Sequence, residues 1–275
     1  MELTYVFYSH TDFLDMLQIA SDYSKKIKNK ILLINENNIL SEDIKNNFNE
    51  IIFYDDTLPY STKLGKVLSN IKSKYILFTH EVDIILDIDK DIIDKLVEYM
   101  DYKNLDRIDL QPNAGNDKGE YVKISKNEKV TDWIDYENIF DPYNQLSHED
   151  WYIGVHNNPR SYIFNVNPSI WKVESFLEIL TKFDGRTYRN IEYDDVQDFC
   201  TKFKIYNLYA RHVLQCGYLK CLPFYKYLHI THYQRLLRFD GSFRDEFNQS
   251  YSDASKEYVD IVNNYNLKTG KRPFS

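Results

Sequence analysis

A run of apolar residues without a turn former, Tyr75-Ile76-Leu77-Phe78-Thr79-His80, leads into Glu81-Val82-Asp83 and constrains this chain more than any other stretch. It reads as a strand buried on both faces, as in a parallel sheet. Strand alternation predicts Glu81 and Asp83 on one side, at the strand's carboxyl end. That edge is where ligands bind in open α/β sheets. Two carboxylates held so close repel one another unless a cation or a proton joins them. Oxygen donors suit Mg²⁺ or Mn²⁺, ions commonly shared with substrate phosphates. The plain alternative is a solvated strand end carrying two surface acids.

The residues before this run repeat a strand–helix alternation. Thr4 to Tyr8 reads as a strand and Ser9-His10-Thr11-Asp12 as a loop with cap chemistry; Phe13, Leu17, Ala20 and Tyr23 then fall at helical spacing. Ile31 to Ile34 and Ile51 to Tyr54 are two more apolar strands, the second closed by Asp55-Asp56. Leu64, Val67, Leu68 and Ile71 mark a helix, with Ser61 or Thr62 as its N-cap. Such alternation predicts a parallel, doubly wound sheet. Right-handed crossovers bring every carboxyl strand end to one edge. Ser9, His10, Asp12, Asn35, Glu36, Asp55 and the acidic pair then share a rim along which a nucleotide can lie.

Beyond Asp83, Ile92, Ile93, Leu96, Val97 and Met100 form the apolar face of a helix, and Arg107 to Leu110 reads as a further strand. Residues 111–159 lose any sustained period, which predicts loops beside a rigid sheet, where specificity is commonly carried. Tyr162 to Val166 reads as a strand, and Asn167-Pro168-Ser169-Ile170-Trp171 as its turn into a helix carrying Phe176, Leu177, Leu180 and Phe183. Asp194 and Gln197 have the spacing of a capping box. An Asp194 engaged in that way leaves Glu192 as the acid without a local partner. The stretch from Gly217 to His232 reads as two strands broken at Pro223, the second ending in His229-x-x-His232. A short amphipathic helix (Ala254, Tyr258, Val259, Val262) and a basic tail follow.

With 275 residues and 43% hydrophobic content the chain can bury a sizeable core. One compact domain is expected, divided as 1–110, 111–240 and, as a C-terminal helix and tail, 241–275. The net charge of −8 and pI near 5.4 argue against broad nucleic-acid or anionic-membrane binding. No signal-peptide pattern occupies residues 1–30 and no window approaches a membrane-spanning length, so a cytoplasmic protein is expected. Cys200, Cys216 and Cys221 are an odd number in no zinc-ligand spacing, as expected of reduced thiols.

The arrangement resembles the GT-A fold (Rossmann-like) glycosyltransferases. Tyr60-Ser61-Thr62-Lys63-Leu64-Gly65-Lys66, followed by the strand ending in Glu81-Val82-Asp83, looks like their nucleotide-binding helix and D-x-D strand, with Glu in place of the first Asp. Asn167-Pro168-Ser169-Ile170-Trp171 with Ile191-Glu192 is similar to a subset of small bacterial and viral members. The resemblance covers residues 1 to about 235, much of 111–159 excepted. It implies a mostly parallel central sheet flanked by helices, with 1–110 as a nucleotide-binding half and 111–240 as an acceptor-binding half. It also implies transfer of a hexose from a nucleotide sugar, UDP-linked, to a carbohydrate acceptor, with inversion. A Mn²⁺ or Mg²⁺ at Asp83 would neutralise the departing diphosphate. A late histidine, His229 or His232, would join the metal.

Glu192 would then serve as the base that takes the acceptor proton, with Asp195 as a further catalytic acid of that stretch. Ser9, His10, Asp12, Glu36, Lys63 and Glu81 would contact the nucleotide. Trp171 is either a sugar-stacking ring or core, and Arg186 and Arg189 either phosphate contacts or surface ion pairs. Two other readings stand beside this one. One is a catalytically silent carbohydrate-binding relative. The other is a sugar nucleotidyltransferase, disfavoured because Ser9-His10-Thr11-Asp12 contains neither Gly nor Lys.

Overall fold

The computed structural model describes residues 3–36, 38–113, 119–139, 151–156, 164–210, 214–216, 219–221, 225–229, 231–232, 235–236 and 256–267. Its first part follows the predicted alternation: β1 (Leu3–Tyr8), α1 (Leu14–Tyr23), β2 (Lys30–Ile34), α2 (Glu42–Asn47), β3 (Glu50–Phe53), α3 (Tyr60–Leu68) and β4 (Tyr75–His80). These four strands lie in the order β3-β2-β1-β4, all parallel. Both faces are covered. Leu3, Tyr5, Phe7, Tyr75 and Leu77 pack with α1 and α2. Val6, Tyr8, Ile76 and Phe78 pack on the other face with α3. The period of two in the strands is what sends alternate residues into the two layers.

The remaining elements are β5 (Asp83–Ile88), α4 (Lys90–Lys103), β6 (Arg107–Asn113), β7 (Gly119–Lys123), β8 (Asp135–Ile139), β9 (Trp151–His156) and β10 (Ser169–Lys172). They continue with α5 (Val173–Lys182), α6 (Asp194–Cys200), β11 (Ile205–Ala210), β12 (Leu214–Cys216), β13 (Leu219–Cys221), β14 (Tyr225–His229), β15 (Thr231–His232), β16 (Arg235–Leu236) and α7 (Lys256–Asn264). The main sheet runs β3-β2-β1-β4-β10-β6-β11-β9-β7-β8. The fold is therefore α/β, with helices on both faces of a central sheet whose first half is wholly parallel. A smaller sheet, β12-β13-β14-β5, stands beside it.

Three local expectations are corrected. Ser169-Ile170-Trp171 does not turn into a helix; it is β10, wedged antiparallel between β4 and β6. Ile170 and Trp171 enter opposite core layers there, a burial that a helix start would not allow. Phe164 to Val166 lies outside any strand, and the rest of that predicted strand lies outside the described residues. Parts of 111–159, read as loop, extend the sheet as β7, β8 and β9. At Gly154 in β9 a Cβ would lie 2.0 Å from the Glu120 carbonyl oxygen, so only glycine permits that approach.

Candidate functional site

The site begins where β1 and β4 end side by side. Tyr8 and His80 are register partners, and the amide of Glu81 donates to the Tyr8 carbonyl at 3.0 Å. The chain then turns at Glu81-Val82, and Asp83 opens β5 in the second sheet. The predicted single strand through Asp83 is thus broken, and alternation does not relate the two acids. Thr79 Oγ1 closes the turn, lying 3.2 Å from the Asp83 carbonyl oxygen.

Both carboxylates are nevertheless buried, Glu81 at 6% and Asp83 at 5% exposure. Glu81 Oε2 finds no hydrogen-bond partner among the described residues, and neither does the hydroxyl of fully buried Ser9. Burial, and then the Asp83 charge, push the Glu81 carboxyl up to about 8. Asp83 is the direct register partner of His229 across β5 and β14, whereas His232 pairs with Arg235 in the β15–β16 hairpin. No group of three or more His, Cys, Asp or Glu side chains suited to a metal occurs among the described residues. The donor set of two carboxylates, one with an orphaned oxygen, does fit a hard divalent cation.

Along the same rim the loop after β1 is tied down. His10 Nδ1 accepts from the Asp12 amide at 3.0 Å, which leaves Nε2 to donate to Asp56 Oδ2 at 2.9 Å. Lys63 from α3 donates to the other Asp56 oxygen at 2.6 Å and lies 4.8 Å over the Tyr54 ring. Burial alone would raise Asp56, but Lys63 and His10 hold it below the usual carboxylate range. Asp12 and Glu36 are exposed on this rim. Asp56, which links His10 to Lys63, has no sequence signal beyond its place after a strand.

Ser61 and Thr62 do not cap α3; its N-cap is Pro59, without a side-chain bond. They tie instead to the turn after α5, with Ser61 Oγ accepting from the Arg186 amide at 2.8 Å and Thr62 Oγ1 from the Gly185 amide at 3.1 Å. That turn carries Tyr188 over the site. Its ring packs edge-to-face on Tyr60 and His80, with centroids at 5.2 and 5.4 Å. The ring remains 45% exposed. The Tyr188 phenol is held above its ordinary range, first by desolvation and then by the charges of Glu192, Asp83 and Glu81. No sequence pattern marks this tyrosine. Trp171, by contrast, is 1% exposed and stacked on Phe176 at 4.7 Å, which makes it core.

Glu192 sits in a 3₁₀ turn before α6, and its Oε1 accepts from the Val166 amide at 2.9 Å. Burial raises its carboxyl, opposed by that bond and by Arg107 and reinforced by Asp109. The predicted capping box is absent, since α6 has no side-chain cap. Gln197 instead clamps the backbone of Phe164, accepting from its amide at 2.8 Å and donating to its carbonyl at 2.7 Å. Asp195 is exposed and ion-paired with Arg186.

No protein-family model matches the chain, and no curated protein matches it. Among solved structures, it is similar to the bifunctional IspDF of Campylobacter jejuni, at 15% identity and TM-score 0.34 over 75% of this chain and 49% of that one. It is similar to S. aureus TarS at 11% identity and TM-score 0.42, over 78% of this chain and 37% of that one. A UDP-glucose pyrophosphorylase complexed with UDP-glucose is similar at 11% identity and TM-score 0.39, over 75% of this chain and 90% of that one. The chain therefore spans about half of the first of these and 37% of the second.

Proposed function

We propose that this chain is a divalent-cation-dependent glycosyltransferase that moves a sugar from a nucleotide sugar, UDP-linked, to a carbohydrate acceptor with inversion. The observation that carries this reading is Glu81. Its buried oxygen, without a partner among the described residues, stands beside a second buried carboxylate, at the end of the strand that pairs with β1. Such an arrangement is costly unless a proton or a cation completes it.

Asp83 and Glu81 would hold Mn²⁺ or Mg²⁺, and His229 is the histidine we assign beside them because it is the register partner of Asp83. When bound, the cation supplies positive charge against the leaving diphosphate. Ser9, whose hydroxyl has no partner among the described residues, and the linked His10, Asp56 and Lys63 line the rim on which the nucleotide would lie. Asp12 and Glu36 complete that rim from its solvent side. Glu192 is assigned as the base in preference to Asp195, because it is half-buried with a raised carboxyl while Asp195 is exposed and ion-paired. Tyr188 presents the open ring of the acceptor side, the role that buried Trp171 cannot fill.

A thermal-shift panel of nucleotide sugars and nucleoside triphosphates, with and without Mn²⁺, tests the reading. One nucleotide sugar should stabilise the fold strongly and only with metal, by about 2.7 kcal/mol at a hundredfold its Kd. A shift by a triphosphate but by no nucleotide sugar would favour a nucleotidyltransferase. No shift with any member would remove the proposal.

A further inference from the structure

Arg107 in β6 has no exposed surface, yet it carries a full guanidinium. Its Nε and Nη2 donate to Ser169 Oγ in β10 at 3.1 and 2.7 Å, and Nη2 lies 3.2 Å from Asp109 Oδ2. Nη2 also donates to Asn165 Oδ1, and the group lies 4.8 Å over the Trp171 ring. Asn165 returns the contact by donating to Asp109 Oδ2 at 2.8 Å, and its Oδ1 accepts from the Asn167 amide at 3.1 Å. The residue between these two points is Val166, whose amide donates to Glu192. The loop before β10 is thus held on one side by the sheet's buried charge pair and on the other by the carboxylate assigned as base.

We infer that Arg107, through Asn165 and with Asp109, is a positioning residue for Glu192: it fixes the Val166 amide that orients the carboxylate. The inference rests on the reading of Glu192 as the base, although its test does not require turnover. Several charged or titratable groups face Glu192. Arg107 and Asp109 come from β6, Tyr60 from α3 and Tyr188 from the preceding turn. Burial and Asp109 raise the Glu192 carboxyl, and the Val166 amide and Arg107 are the groups that oppose them.

The experiment is ¹³C and ¹⁵N NMR titration of the chain without ligand, labelled at the glutamate carboxyls and at Asn and Val nitrogens. The Glu192 signal is assigned by its loss in Glu192→Gln. In the unaltered protein the Val166 amide and the Asn165 side-chain amide should both follow the Glu192 titration; an Asn165 signal that stays flat through it overturns the inference. Asn165→Ala should shift the Glu192 titration upward by about half to one pH unit as the ionised form loses its donor. Ile108→Val, a buried change in the same strand outside the network, should leave it in place. Equal shifts in both variants, or none in a folded Asn165→Ala protein, count against it. If Asn165→Ala does not fold, Arg107→Lys, which keeps the charge and loses the fork, is read in the same way. A coupled Glu192 in a protein that binds no nucleotide sugar would fell the transferase reading and leave the coupling standing.

Discussion

Asp83 and His229 are direct register partners across β5 and β14, at the start of one strand and the end of the other. Direct partners in an antiparallel pair have Cβ atoms about 4.5–5.5 Å apart, and on the proposed reading both serve one cation. Asp83→Ala should abolish the Mn²⁺-dependent part of the nucleotide-sugar thermal shift. His229→Ala should weaken Mn²⁺ binding by about tenfold or more, and His232→Ala should leave it nearly unchanged. Titration calorimetry of Mn²⁺ into the three variants checks this order.

Glu81 makes stability depend on pH. Its carboxyl ionises at about 8 in the fold, against an ordinary value of 4.5. Between these values the folded state holds a proton that the unfolded state has released, so stability falls as pH rises. The contribution is complete below about 4.5 and is lost as pH rises through about 8, with a slope of at most about 1.4 kcal/mol per unit. Glu81→Gln should remove that slope in metal-free thermal melts. Mn²⁺ uptake at neutral pH should release close to one proton in the unaltered protein and none in the variant.

Glu192→Gln should keep donor binding and lose turnover by about 10²–10⁴-fold, the range of general base catalysis. Because burial raises its carboxyl, the acidic limb of the rate profile should lie above the ordinary carboxylate range. Rate should climb with pH as the base deprotonates. Unchanged turnover in Glu192→Gln would move the base elsewhere.

Tyr188→Leu should act on the acceptor side alone. Losing an aromatic platform is worth about 0.5–1.5 kcal/mol, so acceptor KM should rise about two- to tenfold. Hydrolysis of the donor by water, and the donor-induced thermal shift, should be preserved. Kinetics with p-nitrophenyl glycosides as probe acceptors separate these terms.

Far from the site, Lys30 opens β2 almost fully buried, donating to the Ser24 carbonyl at 2.5 Å and to Asn47 Oδ1 at 2.8 Å. Burial, and then Lys25, bring its ammonium down to about 8 from 10.5. Between those values the unfolded state holds the extra proton, so this residue adds stability as pH rises through the window and withdraws it as pH falls through about 8. The difference in denaturant stability between the native chain and Lys30→Met should change with pH between 8 and 9.5. A constant difference would show that Lys30 titrates normally.

Much of the first half, through β4, is legible in the residues. Val6, Leu32, Leu77 and their neighbours are apolar in runs because both faces of a parallel sheet are covered, and Leu64, Val67 and Leu68 carry the helical period of α3. Cap chemistry read from residue type was less dependable. Ser61, Thr62 and Asp194 had suitable side chains, but Ser61 and Thr62 are engaged with the turn after α5, and α6 has no side-chain cap at all. Tyr188, Asp56 and the Arg107 network carry no spacing signal, since their partners come from distant segments.

The residue order by itself determined the strand–helix alternation, the burial of β1, β2 and β4, and the acids waiting at the end of β4. Those features follow from local periodicity and from short-range sterics. Tertiary structure alone decided that Ser169 to Lys172 runs antiparallel between β4 and β6, that the chain breaks at Glu81-Val82, and that Asp83 falls in register with His229. Each of these depends on which strand edge is available and on what fills the opposite core layer, and neither is written in any short window of the chain.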